Sequence, residues 1–311
     1  MLPVSQQQTT DDHIFLTGRP PLQEYLGFIT SLTAGGADAD RASLARDWRA
    51  ANDHVRQLES MEAGSADDAT VEPLPESLEM VAHAILTNPA IQQSYALMPI
   101  SIGMVELERL VVYQKAINLG QIARVKARVG ATPSEVDIFA TCFPVDRGLD
   151  PEFGFQPGGN GWSFVSPSND FRFLGGKLVE PAAVSAFDVQ GAPVAMMVLA
   201  VGYGINVFAA ALIEGRLILT NGSHRAYALL EAGITHAPCL VQNVSRREEI
   251  ELLGIPDLSA NPDLYLKAPR PPLLKDYFDP ALRIVASVPR KDRHVQVAFN
   301  VNPMDLPASP R

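Results

Sequence analysis

Cysteine is almost missing from this chain: Cys142 and Cys239 are the two in 311 residues. No CxxC and no Cys/His pair at ligand spacing occurs, so the sequence offers neither a disulfide framework nor a zinc site. Two thiols in a chain this long read as buried, reduced and cytoplasmic. Long apolar runs are missing too. The longest, Ala192 to Val201 (APVAMMVLAV), is too short to cross a bilayer as a helix, and no membrane association is expected. The N-terminus, MLPVSQQQTTDDH, lacks the basic-then-apolar order of a secretory signal. Cations are in deficit, 25 Lys and Arg against 35 Asp and Glu, for a net charge of -10. Coating nucleic acid requires clustered Lys and Arg, so no tight nucleic-acid binding is expected, while one local basic pocket stays compatible with the charge.

What is present is apolar residues in quantity, 47% of the chain, enough for a sizeable core in one large domain or two modest ones. The most informative stretch is Gly215 to Val241, GRLILTNGSHRAYALLEAGITHAPCLV. Arg216 to Thr220 has strand character and Asn221-Gly222 signals a turn. From His224 the apolar spacing becomes helical, with Ala226, Leu229 and Leu230, until Gly233 provides a stop. Pro238 then opens a second buried-strand candidate. A turn of Asn221, Gly222 and Ser223 would present free amides at a helix start, where the helix dipole adds positive charge. His224 and Arg225 could add side-chain donors suited to phosphate oxygens. The same residues also suit an ordinary strand-to-helix turn, with Ser223 as N-cap and Arg225 in solvent.

The run NGSHRAYALLEAGITHAPCLV resembles the phosphate-binding segment of the ParB/sulfiredoxin superfamily, in which a Gly-x-His-Arg turn precedes an Ala/Leu helix, a glycine and a proline-led strand. The likeness extends weakly to GMVELERLVVYQKAINLGQI. It implies an α/β (α+β) fold with a mixed-sheet core and a nucleotide (ATP, ADP or CTP), with magnesium, held by Asn221, Gly222, Ser223, His224 and Arg225. His224 falls among the candidate catalytic residues. Members that act as free-serine kinases use an early acidic residue as base, a position that Glu106 or Glu108 could match. Sulfiredoxins place a reactive cysteine before the His-Arg pair; Ser223 stands there instead, which argues against sulfinic acid reduction. No helix-turn-helix of the partition type follows Val241. The resemblance therefore implies a nucleotide-dependent enzyme, a phosphotransferase or NTPase acting on a small-molecule or protein substrate. A non-catalytic nucleotide sensor or interaction module is the alternative, and a nuclease, disfavoured by the acidic charge, a weaker one.

Three regions are expected. Residues 1–98 read as a helical N-terminal region with a flexible linker near 63–77. Leu44, Trp48, Ala51, Val55 and Leu58 form a helix stripe there, suited to the core or to a homodimer. Residues 99–255 hold the nucleotide domain, and 256–311 a proline-rich extension with one strand near His294 to Val301. Within the middle region, Arg124, Lys126 and Arg128 alternate as in an exposed strand, Ser134 to Phe143 reads as strand or strand plus helix, Ala192 to Val201 reads as a buried strand, and Ile205 to Ile213 reads as a helix. Asp146 to Gly176 has no helical period. Its aromatics, Phe153 to Phe173, predict an ordered, packed excursion that supplies either substrate selectivity or a structural flap.

Overall fold

Side-chain caps open several of the helices, as the sequence chemistry requires. In the computed structural model, which describes residues 9–34, 40–145, 153–158, 160–180, 182 and 191–305, β1 (Thr10–Leu16) and α1 (Leu22–Leu32) precede α2 (Arg41–Met61), α3 (Glu76–Thr87) and α4 (Pro89–Ser94). β2 (Ile100–Glu106), a 3-10 turn at Leu107–Arg109 and β3 (Ala116–Asn118) lead into α5 (Leu119–Val129) and α6 (Glu135–Cys142). Four strands follow: β4 (Gly154–Gly158), β5 (Gly161–Ser166), β6 (Phe171–Val179) and β7 (Met196–Tyr203). β8 (Ala209–Ile213), β9 (Arg216–Asn221), α7 (Ser223–Glu231) and β10 (His236–Val244) come next. A 3-10 segment at Arg247–Leu253, α8 (Pro256–Ala260), α9 (Pro262–Leu266), a 3-10 turn at Leu274–Phe278, β11 (Arg283–Pro289) and β12 (Arg293–Ala298) complete the order. Asp40, Asn88, Asn118 and Ser134 cap α2, α4, α5 and α6 with their side chains. Ser134 and Asp137 form a reciprocal capping box.

The described residues divide into two compact units. The larger joins everything up to residue 145 with Asn206–Arg290. Its central sheet runs β2-β10-β8-β9, with β10 antiparallel to β2 and parallel to β8. A second sheet, β11-β1-β3, puts β1 between two antiparallel neighbours. The smaller unit holds the sheet β12-β5-β4 and the two-stranded ribbon β6-β7. The chain is thus a mixed α+β protein.

Several expectations need correction. Residues 119–129 form a helix rather than a strand. Ile122, Val125 and Val129 are buried at helical spacing, Asn118 caps the start, and Gly130 takes a left-handed φ of 79° at the end. The charged alternation only marks the outer face. Residues 205–213 hold no helix: β8 is an almost wholly buried strand. A continuous apolar run fits either element, and here the turn decides. Glu214 and Gly215 both take positive φ, 48° and 79°, the backbone twist of a tight hairpin joining β8 to β9. From β7 to β10 the order is therefore strand, strand, strand, helix, strand.

The boundary expected at residue 98 falls inside the larger unit, because β1 is laced into a sheet by β3 and β11. The expected α2 stripe is also consumed at home. Leu44 and Trp48 pack on Phe15, Tyr25, Leu26 and Ile29, and Val55 and Leu58 pack with Leu282. Trp48 Nε1 donates to Pro20 O at 2.8 Å. That face is not open to a second subunit. Residues 256–290 are likewise no appendage, since Leu258, Tyr265, Leu266 and Leu273 share one core with Ile213 and Ile218.

Arg270 is 2% exposed and forks onto Asp276, with Nη1 to Oδ2 at 2.9 Å and Nη2 to Oδ1 at 2.5 Å, while Nε reaches Glu62 at 2.8 Å. Removing one partner of such a pair strands a buried charge. Asp276→Ala is expected to destabilise the larger unit by about 3–5 kcal/mol. Urea unfolding followed by circular dichroism would measure it, and a loss near zero would contradict the buried assignment.

Candidate functional site

The strand-to-helix join at residues 221–225 departs from the side-chain caps elsewhere. β9 ends at Asn221, and Gly222 occupies the cap position of α7 with φ 99° and ψ 25°. That left-handed conformation suits glycine. A Cβ there would also lie 2.7 Å from the Phe208 ring. Ser223, expected as the cap, is instead the first helical residue, and no side chain caps the helix. The amides of its first turn therefore have no side-chain oxygen of the cap residue upon them.

The two cationic candidates are otherwise engaged. Arg225 is buried, and its Nη1 donates to Cys142 O (3.2 Å) and Asn206 O (2.8 Å) while Nη2 donates to Asn206 Oδ1. The guanidinium bolts the start of α7 to the end of α6 and to the approach to β8. Its neighbours Cys142 and Cys239 are both buried and free; burial pushes the Cys142 thiol up to about 12 and the Cys239 thiol also well above its ordinary value. Neither is a nucleophile at neutral pH.

His224 accepts a hydrogen bond at Nε2 from the backbone N–H of Asn118 at 3.0 Å. An acceptor Nε2 puts the ring proton on Nδ1. Burial, with His13 and Arg225 nearby, lowers its pKa to about 4, so the ring is neutral at pH 7. Asn118 is the hub of a small polar cluster. Its Oδ1 caps α5 through the Gln121 N–H (3.0 Å), its Nδ2 donates to Asp11 Oδ2 (3.1 Å), and the same Nδ2 lies 3.3 Å from His13 Nε2. Arg290 binds both Asp11 oxygens, Nε to Oδ2 at 3.1 Å and Nη2 to Oδ1 at 2.5 Å. The Arg290 hydrogen bond holds the Asp11 carboxyl below its usual range, and burial lowers His13.

The structure thus brings Asn221, Gly222, Ser223, His224 and Arg225 to one join and adds Asp11, His13 and Asn118. It does not bring Glu106 or Glu108. Glu106 pairs with His236 on β10, whereas Asn221 pairs with Ala209, whose β10 partner is Leu240. At about 3.3 Å per residue and about 4.8 Å per strand, this register sets Glu106 on the order of 15–20 Å from Asn221. Glu106 is paired with Arg109 at 3.8 Å, and Glu108 is exposed in the 3-10 turn. Both sit toward the far end of α7. The carboxylate at the near end is Asp11, in a segment whose sequence reads as a polar leader. The available signal was the period-two series Asp11, His13, Phe15 on one strand face. Among the described residues no group of three or more His, Cys, Asp or Glu could hold a metal ion.

Two outcomes follow from these contacts. Arg225→Ala leaves two backbone carbonyls without their charged donor and should cost about 3 kcal/mol or more, so nucleotide-binding loss in that variant would accompany destabilisation in urea titrations. His224 has a folded pKa below its unfolded one. Its contribution is complete above about pH 6.5 and drains away as pH falls toward about 4, by about 3 kcal/mol in total. His224→Gln should flatten the loss of stability between pH 6.5 and 4; an unchanged pH profile would show that the buried imidazole is not its source.

Comparisons of the chain with protein-family models, with curated proteins and with solved structures find no match.

Proposed function

We propose that this chain binds a nucleotide through its phosphates at the join of β9 and α7. The observation that carries the reading is the left-handed Gly222 cap, which opens α7 without a capping side chain. Phosphate oxygens would take the Ser223, His224 and Arg225 N–H groups, with Nδ1–H of neutral His224 as a further donor. Arg225 contributes positive potential from below, and its own hydrogen bonds fix the turn. The resemblance of Asn221 to Val241 to the ParB/sulfiredoxin phosphate segment supports the same assignment. Among the described residues no metal-ligand set stands at the join, and magnesium would be held by the phosphates and water.

The geometry favours nucleotide sensing over turnover. A catalytic base must reach the reacting group, and the two glutamates matched to that role lie at the far end of α7. Asp11 is closed off by Arg290 and Asn118. The second reading, phosphoryl transfer or nucleotide hydrolysis, is favoured by one observation. His13, held neutral by burial beside Asp11, is a base in the same cluster. ATP or CTP turnover that is lost in His13→Gln, with binding retained, would select it.

Binding is tested with Ser223→Asp. A carboxylate in the first turn is tolerated by the helix dipole but repels phosphate. Calorimetric titration with ATP, ADP and CTP should show saturable binding to the wild type, weakened at least tenfold, about 1.4 kcal/mol, in the variant. No heat with any of the three, or equal affinities in a folded variant, would overturn the assignment.

A further inference from the structure

The larger unit holds a cleft that the phosphate reading leaves unused, since none of residues 221–225 lines it. Its apolar lining comes from Leu16 at the end of β1, Val112, Leu264 on α9, Pro20 and Pro272. It encloses about 90 Å³, room for several waters or one small organic molecule.

Two polar residues of the lining are fixed by the fold yet left with an unpaired donor. The turn that carries Arg19 lies hard against α2. Gly18 takes a left-handed φ of 77°, and a Cβ there would stand 2.6 Å from the Ala51 backbone. Asn52 Nδ2 donates to Gly18 O at 2.7 Å, and Trp48 holds Pro20 O. Arg19, between these anchors, has a side chain only 9% exposed; Nη1 donates to Glu59 at 3.2 Å and Nη2 to Arg270 O. Its Nε is buried and has no hydrogen-bond partner among the described residues. A buried donor left unpaired costs its full desolvation. Tyr265 lines the cleft at 3% exposure. Its backbone oxygen accepts from Arg216 Nη1, whereas its hydroxyl has no partner among the described residues. Burial, with Asp257 and Glu24 nearby, pushes the phenol up to about 12, so it keeps its proton and donates at neutral pH.

The charges on the lining cancel. Its cations are Arg19 and Lys115, its carboxylates Glu24 and Asp257. Lys115 bonds Glu24 and lies 3.4 Å from Asp257, while Arg19 has Glu59. A ligand with net charge of either sign would give up its hydration for a lining that repels it as much as it attracts it. What the lining lacks is an acceptor oxygen for Arg19 Nε–H and the Tyr265 hydroxyl. The Glu24 and Asp257 carboxylates keep lone pairs beyond those that Lys115 uses, and these accept an N–H. We propose that this cleft binds a small uncharged amide with an apolar body. The carbonyl oxygen takes the Arg19 and Tyr265 donors, the amide N–H goes to Glu24 or Asp257, and the hydrocarbon part lies on Leu16, Val112 and Leu264.

The test compares butyramide, butyrate and butylammonium, alike in size and different in charge, by saturation-transfer NMR on the full chain. Butyramide should saturate with a Kd of about 1 mM, within reach of so small a ligand, and bind about tenfold or more tightly than either ion. Tyr265→Phe removes the hydroxyl and keeps the ring. Arg19→Lys keeps a cation beside Glu59 and removes Nε–H. Each should weaken butyramide by about tenfold with unchanged circular dichroism. Failure of butyramide to saturate by about 50 mM, equal or tighter binding of either ion, or an unchanged affinity in a folded variant would each overturn the assignment. If one variant unfolds, the other decides, and the charge series needs neither.

Discussion

A buried guanidinium must find oxygen for its five N–H donors, and three such arginines hold the larger unit together. Arg216 reaches from β9 to Tyr265 O, Ala268 O and the Asp67 carboxylate. Arg270 forks onto Asp276 and reaches Glu62. Arg225 takes Cys142 O and both oxygens of Asn206. Each ties together segments far apart in sequence, two of them through backbone carbonyls that no regular hydrogen-bond ladder would satisfy. Wrong docking of any of these segments would leave both a buried charge and bare carbonyls, a penalty several times the worth of one hydrogen bond.

This constraint shapes the join at Gly222. Arg225 stands below the turn because the carbonyls of Cys142 and Asn206 are there to receive it, so its role at an anion would be to set potential and geometry. His224, in the first turn of α7, is itself held by the Asn118 N–H. Asn118 connects α5, β1 and α7 through one side chain and one amide. The polar groups gathered around the helix start thus come from three separate parts of the chain, and their arrangement depends on β1 being threaded between β3 and β11.

The smaller unit follows a different logic. It has no buried arginine fork among its described residues and is built from one three-stranded sheet and one two-stranded ribbon. A larger core would require apolar side chains from elsewhere. Met197, Leu178, Trp162 and Phe155 are exposed there.

Local chemistry was enough to read the helices of the N-terminal region, the β9–α7–β10 order and the strand near residue 294, because caps, glycines and apolar periods act over a few residues. It failed where one pattern serves two structures. Arg124, Lys126 and Arg128 alternate on a helix as readily as on a strand, and the apolar run ending at Ile213 became a strand only through its Glu214-Gly215 hairpin with β9. The sequence determined by itself that a glycine turn at Asn221-Gly222 would open a helix, which begins one residue earlier than its apolar spacing indicated. Only the tertiary structure decided what stands around it. Whether Arg225 faces solvent depends on Cys142 and Asn206, 83 and 19 positions away, and the near carboxylate and the setting of His224 come from residues more than a hundred positions away, because desolvation and hydrogen bonding act through space rather than along the chain.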